Sequence, residues 1–311
     1  MTIHFLSCIL YFIVNNVSLL IIVRFIHGIG FGASVNAIIT IAIAILPKKR
    51  FSEAFGYFML GTTLAVGLGP FIGGVLYDNF GSAGSFTAAS IFSLIALIFI
   101  NLIDIDKIDP INNKKSFQAS NSSYGFFEKI FENKAIPVSL FTALTSLGYV
   151  SILSFYRLYA LEVILVNAFS WFFIIYSVVL LVSRPIAGKI QDKYGDMIIC
   201  LTGIIAQAIG LFLISWIPSA ATVVICAVSL ALGFGTFNSA CIAIVTRNIP
   251  PHRQSYAVST FFIFCDATIG FGPALLGMFV INSYAPVFLV SSIITILALP
   301  VCIYALLKNN I

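Results

Sequence analysis

The sequence predicts an all-α integral membrane protein of about ten transmembrane helices. Three observations carry that prediction. Of the 311 residues, 60% are hydrophobic and only 9% charged, with a mean hydropathy of +1.09, whereas an average soluble domain is about 25% charged. The apolar residues fall in unbroken runs rather than in alternation, and an unclosed sheet would leave backbone groups unsatisfied in lipid. Lys and Arg, finally, collect in alternate connections between the runs, as in a multi-pass chain. The same figures exclude disorder, collagen and disulfide scaffolds. The net charge of +5 is spread between apolar runs and is not a nucleic-acid footprint.

In chain order, the first four runs lie near residues 2–16, 19–45, 55–76 and 84–103. The other six lie near 136–160, 166–187, 197–217, 221–246, 256–280 and 285–307. The first begins at Met1 with no basic n-region and reads as a span, not a signal peptide. Basic connections carry Lys48, Lys49 and Arg50, then Lys107, Lys114, Lys115, Lys129 and Lys134, then Lys189 and Lys193, then Arg247 and Arg253, and finally Lys308. The positive-inside rule places these in the cytoplasm together with both termini, as an even number of spans requires. Residues 104–123 form the only long polar stretch. A cytoplasmic linker over 104–135 therefore divides a four-helix half (1–103) from a six-helix half (136–311). Its end, 124–134, is expected to lie on the membrane surface as an amphipathic helix.

Cys8, Cys200, Cys226, Cys241, Cys265 and Cys302 sit inside apolar runs without CxxC or metal-ligand spacing, and read as packing residues. Only His4, His27 and His252 supply imidazole. No HExxH, GxSxG, P-loop or paired-carboxylate pattern occurs, so no catalytic residue, metal or cofactor is expected and the chain does not read as an enzyme.

An internal repeat is visible at a shift of 203 residues. It aligns Gly30-Phe31-Gly32 with Gly233-Phe234-Gly235, and pairs Pro47, Arg50 and Ser52 with Pro250, Arg253 and Ser255. Gly67, Gly69, Pro70 and Gly74 pair with Gly270, Gly272, Pro273 and Gly277, and 15 of the 47 pairs from Gly28 to Gly74 are identical without a gap. Two halves of the same orientation are what parallel-repeat transporters show. Met1 aligns with Ile204, so residues 136–196 have no first-half counterpart.

Three motifs give the chain a resemblance to the major facilitator superfamily, in particular its twelve-helix drug/proton-antiporter branch, with the first two helices lacking. Leu20, Arg24, Gly28 and Gly32 resemble the RxxxG element of helix four, with His27 where Gln is common. Gly56, Gly69, Pro70, Gly73 and Gly74 resemble the exporter GPxxGG element; glycines so spaced allow close helix approach. Arg184, Gly188, Asp192, Lys193 and Gly195 resemble the GxLaDrxG loop that links neighbouring helices. Asp196 and Met197 replace its closing basic pair, which predicts a weaker charge network.

The resemblance implies a 4 + 6 parallel repeat and secondary transport of a small molecule by rocking of two bundles. It favours proton-coupled export from the plasma membrane, with the lipid bilayer, a small-molecule substrate and protons as partners, and a monomer that binds no nucleic acid. Arg24 and Asp266 are the candidate proton-coupling residues, because intramembrane charge is costly and marks function; Gly272 and Pro273 join the gating candidates. Asp266 is paired by the repeat with Thr63, so its charge belongs to one half only. Its alternative role is as a structural partner of Arg24 or Arg247. For the whole chain the alternatives are a non-transporting truncated or mis-started remnant and a metabolite importer on the same fold. Tyr156, Tyr159, Trp171 and Tyr176 are cavity candidates for which core or lipid packing is the simpler role.

Overall fold

A computed structural model describes residues 1–102, 131–247 and 249–309. These are helical, with no strand among the described residues. Helix α1 (Thr2–Leu10) tightens into a 3-10 turn at Tyr11–Ile13, and α2 spans Val17–Ile45. A 3-10 turn at Lys48–Arg50 leads to α3 (Phe51–Phe58) and α4 (Leu60–Asn101). The later helices are α5 (Ile136–Glu162), α6 (Val166–Tyr194), α7 (Asp196–Trp216), α8 (Ala220–Leu230), α9 (Thr236–Arg247), α10 (Gln254–Gly277) and α11 (Ala285–Asn309).

Among the described residues, eight helical stretches are long and apolar enough to cross a membrane, six of them from Ile136 onward. The early part of the chain departs from the ten runs expected. The helix at Thr2–Ile13 is shorter than a span. The run expected at 55–76 divides at Met59 between α3 and α4. The loop expected near 77–84 is a one-residue break: only Gly81 leaves helical geometry, at φ 65° and ψ −161°. Gly81, with no Cβ, tolerates that φ, and no proline stands between Tyr77 and Gly84 to prevent the helix from resuming.

Contacts divide the chain into two compact units, one from Met1–Ile45 and Leu68–Ser120, the other from Leu46–Gly67 and Asn121–Ile311. Segment 46–67 therefore groups with the later helices. In the first unit Tyr11 stacks on Phe86 at 4.8 Å between ring centroids, and Cys8 Sγ lies 3.4 Å from Ser93 Oγ. The second unit has a larger core, in which Tyr156, Phe172, Leu180, Leu211, Ile214 and Phe288 are almost fully buried. In lipid this packing is held by dispersion and close fit rather than by escape from water. Hydroxyls on α5 meet their needs within the helix: Ser139, Thr142 and Ser146 each donate to the carbonyl four residues earlier.

Between α8 and α9 the chain widens into a π-turn, Ala231–Gly235, where Gly233 departs from helical ψ. A π-turn releases carbonyls from the α ladder. Two are taken up: Thr236 Oγ1 donates to Ala231 O at 2.7 Å and Arg184 Nε to Gly235 O at 3.2 Å.

Most of the expected linker, residues 103–130, lies outside the described residues, and with it most of the surface helix expected at 124–134. Residues 131–134 are not helical. Glu132 is buried in an ion pair of 2.7 Å with Arg253 Nε, and its backbone N–H donates to Thr260 Oγ1. Its charge finds a partner inside the protein, which a solvated surface helix does not offer.

Candidate functional site

The second unit brings the Asp192 motif onto the start of α3. Gly195, at φ 92°, turns the chain between α6 and α7. The Asp192 carboxylate accepts the backbone N–H of Ser52 at 3.1 Å and of Glu53 at 3.0 Å. These are two of the donors that a helix start leaves open, and the helix dipole favours an anion there. Two glycines make the approach possible. A Cβ on Gly188 would stand 2.5 Å from Ser52 O, and one on Gly56 would stand 2.8 Å from Arg184 O.

Arg247, at the end of α9, joins the same site. Its guanidinium reaches Asp196 Oδ1 at 3.3 Å and Asp192 Oδ1 at 3.9 Å, and donates to Ser52 Oγ at 2.7 Å. Gln191 donates to Asp196 Oδ1 at 2.8 Å, and Lys189 pairs with Glu53 at 3.3 Å. Asp196, which replaces a basic residue of the motif, pairs with Arg247. Lys193 stands outside this network, 4.9 Å over the Tyr194 ring.

Arg184 lies about two turns further into α6 and forms a separate buried node. Its Nη1 donates to Met59 O at 2.5 Å and Thr63 Oγ1 at 2.7 Å, while Nε holds the π-turn. One guanidinium therefore joins α6, the α3–α4 junction and the π-turn. Its pairing with Thr63 is invisible in the sequence, since 121 residues separate them.

Other predicted residues are placed differently. Arg24 is exposed, 5.3 Å over the Tyr11 ring. Added Cβ atoms at Gly28, Gly32, Gly69 and Gly73 would meet nothing within 4 Å among the described residues. In α2 it is Gly30 that makes a close contact, with the backbone of His4, and residues two away from it point to the opposite side. Pro70 and Gly74 continue α4, and their surroundings lie outside the described residues. On α10, Gly272 packs tightly against Val150 and Leu147, and Pro273 continues the helix. Asp266 is exposed and, among the described residues, has neither ion pair nor hydrogen bond. Arg247 has Asp192 and Asp196 as its carboxylates instead. Tyr156, Tyr159 and Tyr176 are core residues, while Trp171 is exposed.

Two matches to the family model of the Major Facilitator Superfamily cover the chain, at residues 1–166 and 164–310. The chain belongs to the Major Facilitator Superfamily. Members of the superfamily are multi-pass membrane transporters, not enzymes. An uncharacterized MFS-type transporter of Methanocaldococcus jannaschii is 27% identical over 258 residues, which are 82% of this chain and 66% of that protein. The chain thus spans just under two thirds of that relative's length. Among solved structures, the human organic anion transporter MFSD10 (TETRAN) superposes with a TM-score of 0.68 at 14% identity, covering 96% of this chain and 74% of the other. At that identity the likeness is one of fold.

Proposed function

We propose that this chain is a secondary transporter that moves a small molecule across the plasma membrane by alternating access, exporting it in exchange for protons. The observation that carries the reading is the polar joint at the α6–α7 turn. Asp192 and Asp196 hold the start of α3 and Arg247 of α9 through contacts of 3.0–3.9 Å. Such contacts can part and re-form at little cost where water reaches them, which suits a joint that opens once per cycle. A drug/proton-antiporter placement, ten helices in a 4 + 6 repeat, cytoplasmic termini and a monomeric state belong to the same proposal. Asp266 supplies its proton carrier: an unpaired carboxylate on a spanning helix is costly unless its charge is used.

The test is transport by the purified chain in proteoliposomes, with a panel of small molecules and an imposed pH gradient. Proton-driven flux should be lost in Asp266→Asn while substrate exchange at zero gradient persists. Gradient-driven flux with unchanged pH dependence in the variant would remove Asp266 from the mechanism, and flux that ignores the gradient in the unaltered chain would refute proton coupling.

A further inference from the structure

In the first unit, α1 and α2 bring together three side chains that the transport reading does not use. One ligand atom each from His4, Cys8 and His27 lies within 4.8 Å of the other two. The sequence conceals the cluster. His4 and Cys8 are one turn apart on α1 and share a face, but His27 comes 19 residues later and is brought in by the helix pairing. Gly30 allows that pairing, since a Cβ there would stand 2.6 Å from the backbone nitrogen of His4. The two imidazoles consequently sit with centroids 4.7 Å apart.

The bonding of the rings is incomplete. His27 Nδ1 lies 3.0 Å from the Tyr11 hydroxyl, while its Nε2 is buried without a hydrogen-bond partner. His4 Nδ1 is buried and unpartnered as well. A buried nitrogen with no partner is costly. A Nδ1–H of His27 held by the Tyr11 oxygen leaves the Nε2 lone pair free, the arrangement by which outer contacts orient metal-bound histidines. Cys8, 3% exposed, adds a thiolate donor within 4.8 Å of a nitrogen on each ring.

We infer that His4 Nδ1, Cys8 Sγ and His27 Nε2 form a three-coordinate site for a soft monovalent d10 ion, Cu⁺. Thiolate with imidazole is a donor set for Cu⁺ or Zn²⁺, and charge decides between them. His4 lies ten residues before the α1–α2 connection at Val14, and His27 ten after Val17. His27 is therefore about 15 Å from the start of a helix long enough to span, in the bilayer core, and His4, the third residue of α1, is held beside it by the ring contact. Cu⁺ with one thiolate and two neutral imidazoles carries no net charge. Zn²⁺ would leave one positive charge in that medium, a turn from the Arg24 guanidinium. With metal–donor bonds of about 2.0–2.3 Å, donors around a trigonal ion stand about 3.5–3.8 Å apart. The widest separation here therefore closes by about 1 Å, within reach of rotation of the two half-buried rings.

The experiment is an anaerobic titration of the full chain in detergent, with Cu⁺ delivered from a chromophoric Cu⁺ chelator. X-ray absorption then counts sulfur and nitrogen neighbours of the bound ion. One Cu⁺ per chain with one sulfur and two nitrogens is expected. Uptake should be lost in Cys8→Ser and weakened tenfold or more in His4→Gln and in His27→Gln, with Cys241→Ser unaffected. A sulfur-only environment would overturn the inference, because it would place the ion on thiols other than Cys8, such as Cys200, Cys241 and Cys302, which are buried in the second unit. So would full stoichiometry in Cys8→Ser, no uptake by the folded unaltered chain, or displacement of Cu⁺ by equimolar Zn²⁺. The absorption measurement on the unaltered chain needs no variant to fold.

Discussion

Replacing Gly188 with Ala tests the packing beneath the polar joint. The new Cβ would stand 2.5 Å from Ser52 O and 2.6 Å from Glu53 Cα. Both are backbone atoms, so no side chain can rotate away. Reaching ordinary contact requires α3 to retreat from α6 by about 1 Å. That movement stretches the bonds from Ser52 and Glu53 to Asp192, now 3.1 and 3.0 Å, to about 4 Å, beyond hydrogen-bonding range. Overpacking costs about 1–3 kcal/mol, and losing a helix-start acceptor costs about 0.5–2 kcal/mol. The two together predict a loss of about 1.5–5 kcal/mol. Thermal unfolding of the full chain in detergent reads the loss as a lower midpoint. Asp192→Asn, which keeps an acceptor oxygen, separates the terms and should cost about 1 kcal/mol. An unchanged midpoint in Gly188→Ala, with Asp192→Asn destabilised as expected, would show that α3 does not lie against α6 as described.

Gly69→Ala and Gly73→Ala, by contrast, meet open space and should raise the midpoint slightly, since Ala favours a helix interior over Gly by about 1 kcal/mol. Arg184→Met removes the donor to Met59, Thr63 and Gly235 and should destabilise the chain by about 3 kcal/mol or more in the same assay. Glu132→Gln leaves Arg253 without its carboxylate in a buried setting and should cost about 3 kcal/mol, with little response to added salt. Lys189→Gln breaks a pair whose lysine is 59% exposed, so a change above about 1 kcal/mol would contradict the surface value expected of it.

The helices after Ile136 were legible because each apolar run there is bounded by its own breaker. Gly195 separates α6 from α7, and Pro218 with Ser219 precedes α8, where Ser219 and Thr222 cap each other. The earlier part was less legible for the same physical reason in reverse. Between Met59 and Asn101 hydropathy reports only where lipid is tolerated, and a single residue, Gly81, sets the break. At the candidate site, Asp192 and Gly188 were readable from local spacing. Arg247 and Thr63 were not, because their partners lie 51 to 195 residues away and nothing local marks them. Glycine spacing shows where close approach is possible, and helical phase decides which glycine of α2 makes it, namely Gly30.

The π-turn at Ala231–Gly235 sets a limit on reading one repeat from the other. Its repeat partners, including Gly30-Phe31-Gly32, lie within the uninterrupted α2. Because the alignment runs through both segments without a gap, the wider turn is absorbed by rotation and not by an added residue. One π-turn rotates the helix before it by about 100° relative to the helix after it. If α9 is laid over the end of α2, the residues of α8 fall about a quarter of a circumference away from their aligned partners at 17–27. Spin labels or crosslinking cysteines designed on α2 by copying positions from α8 would therefore point to a different neighbour. Pairs chosen after the turn keep their facing.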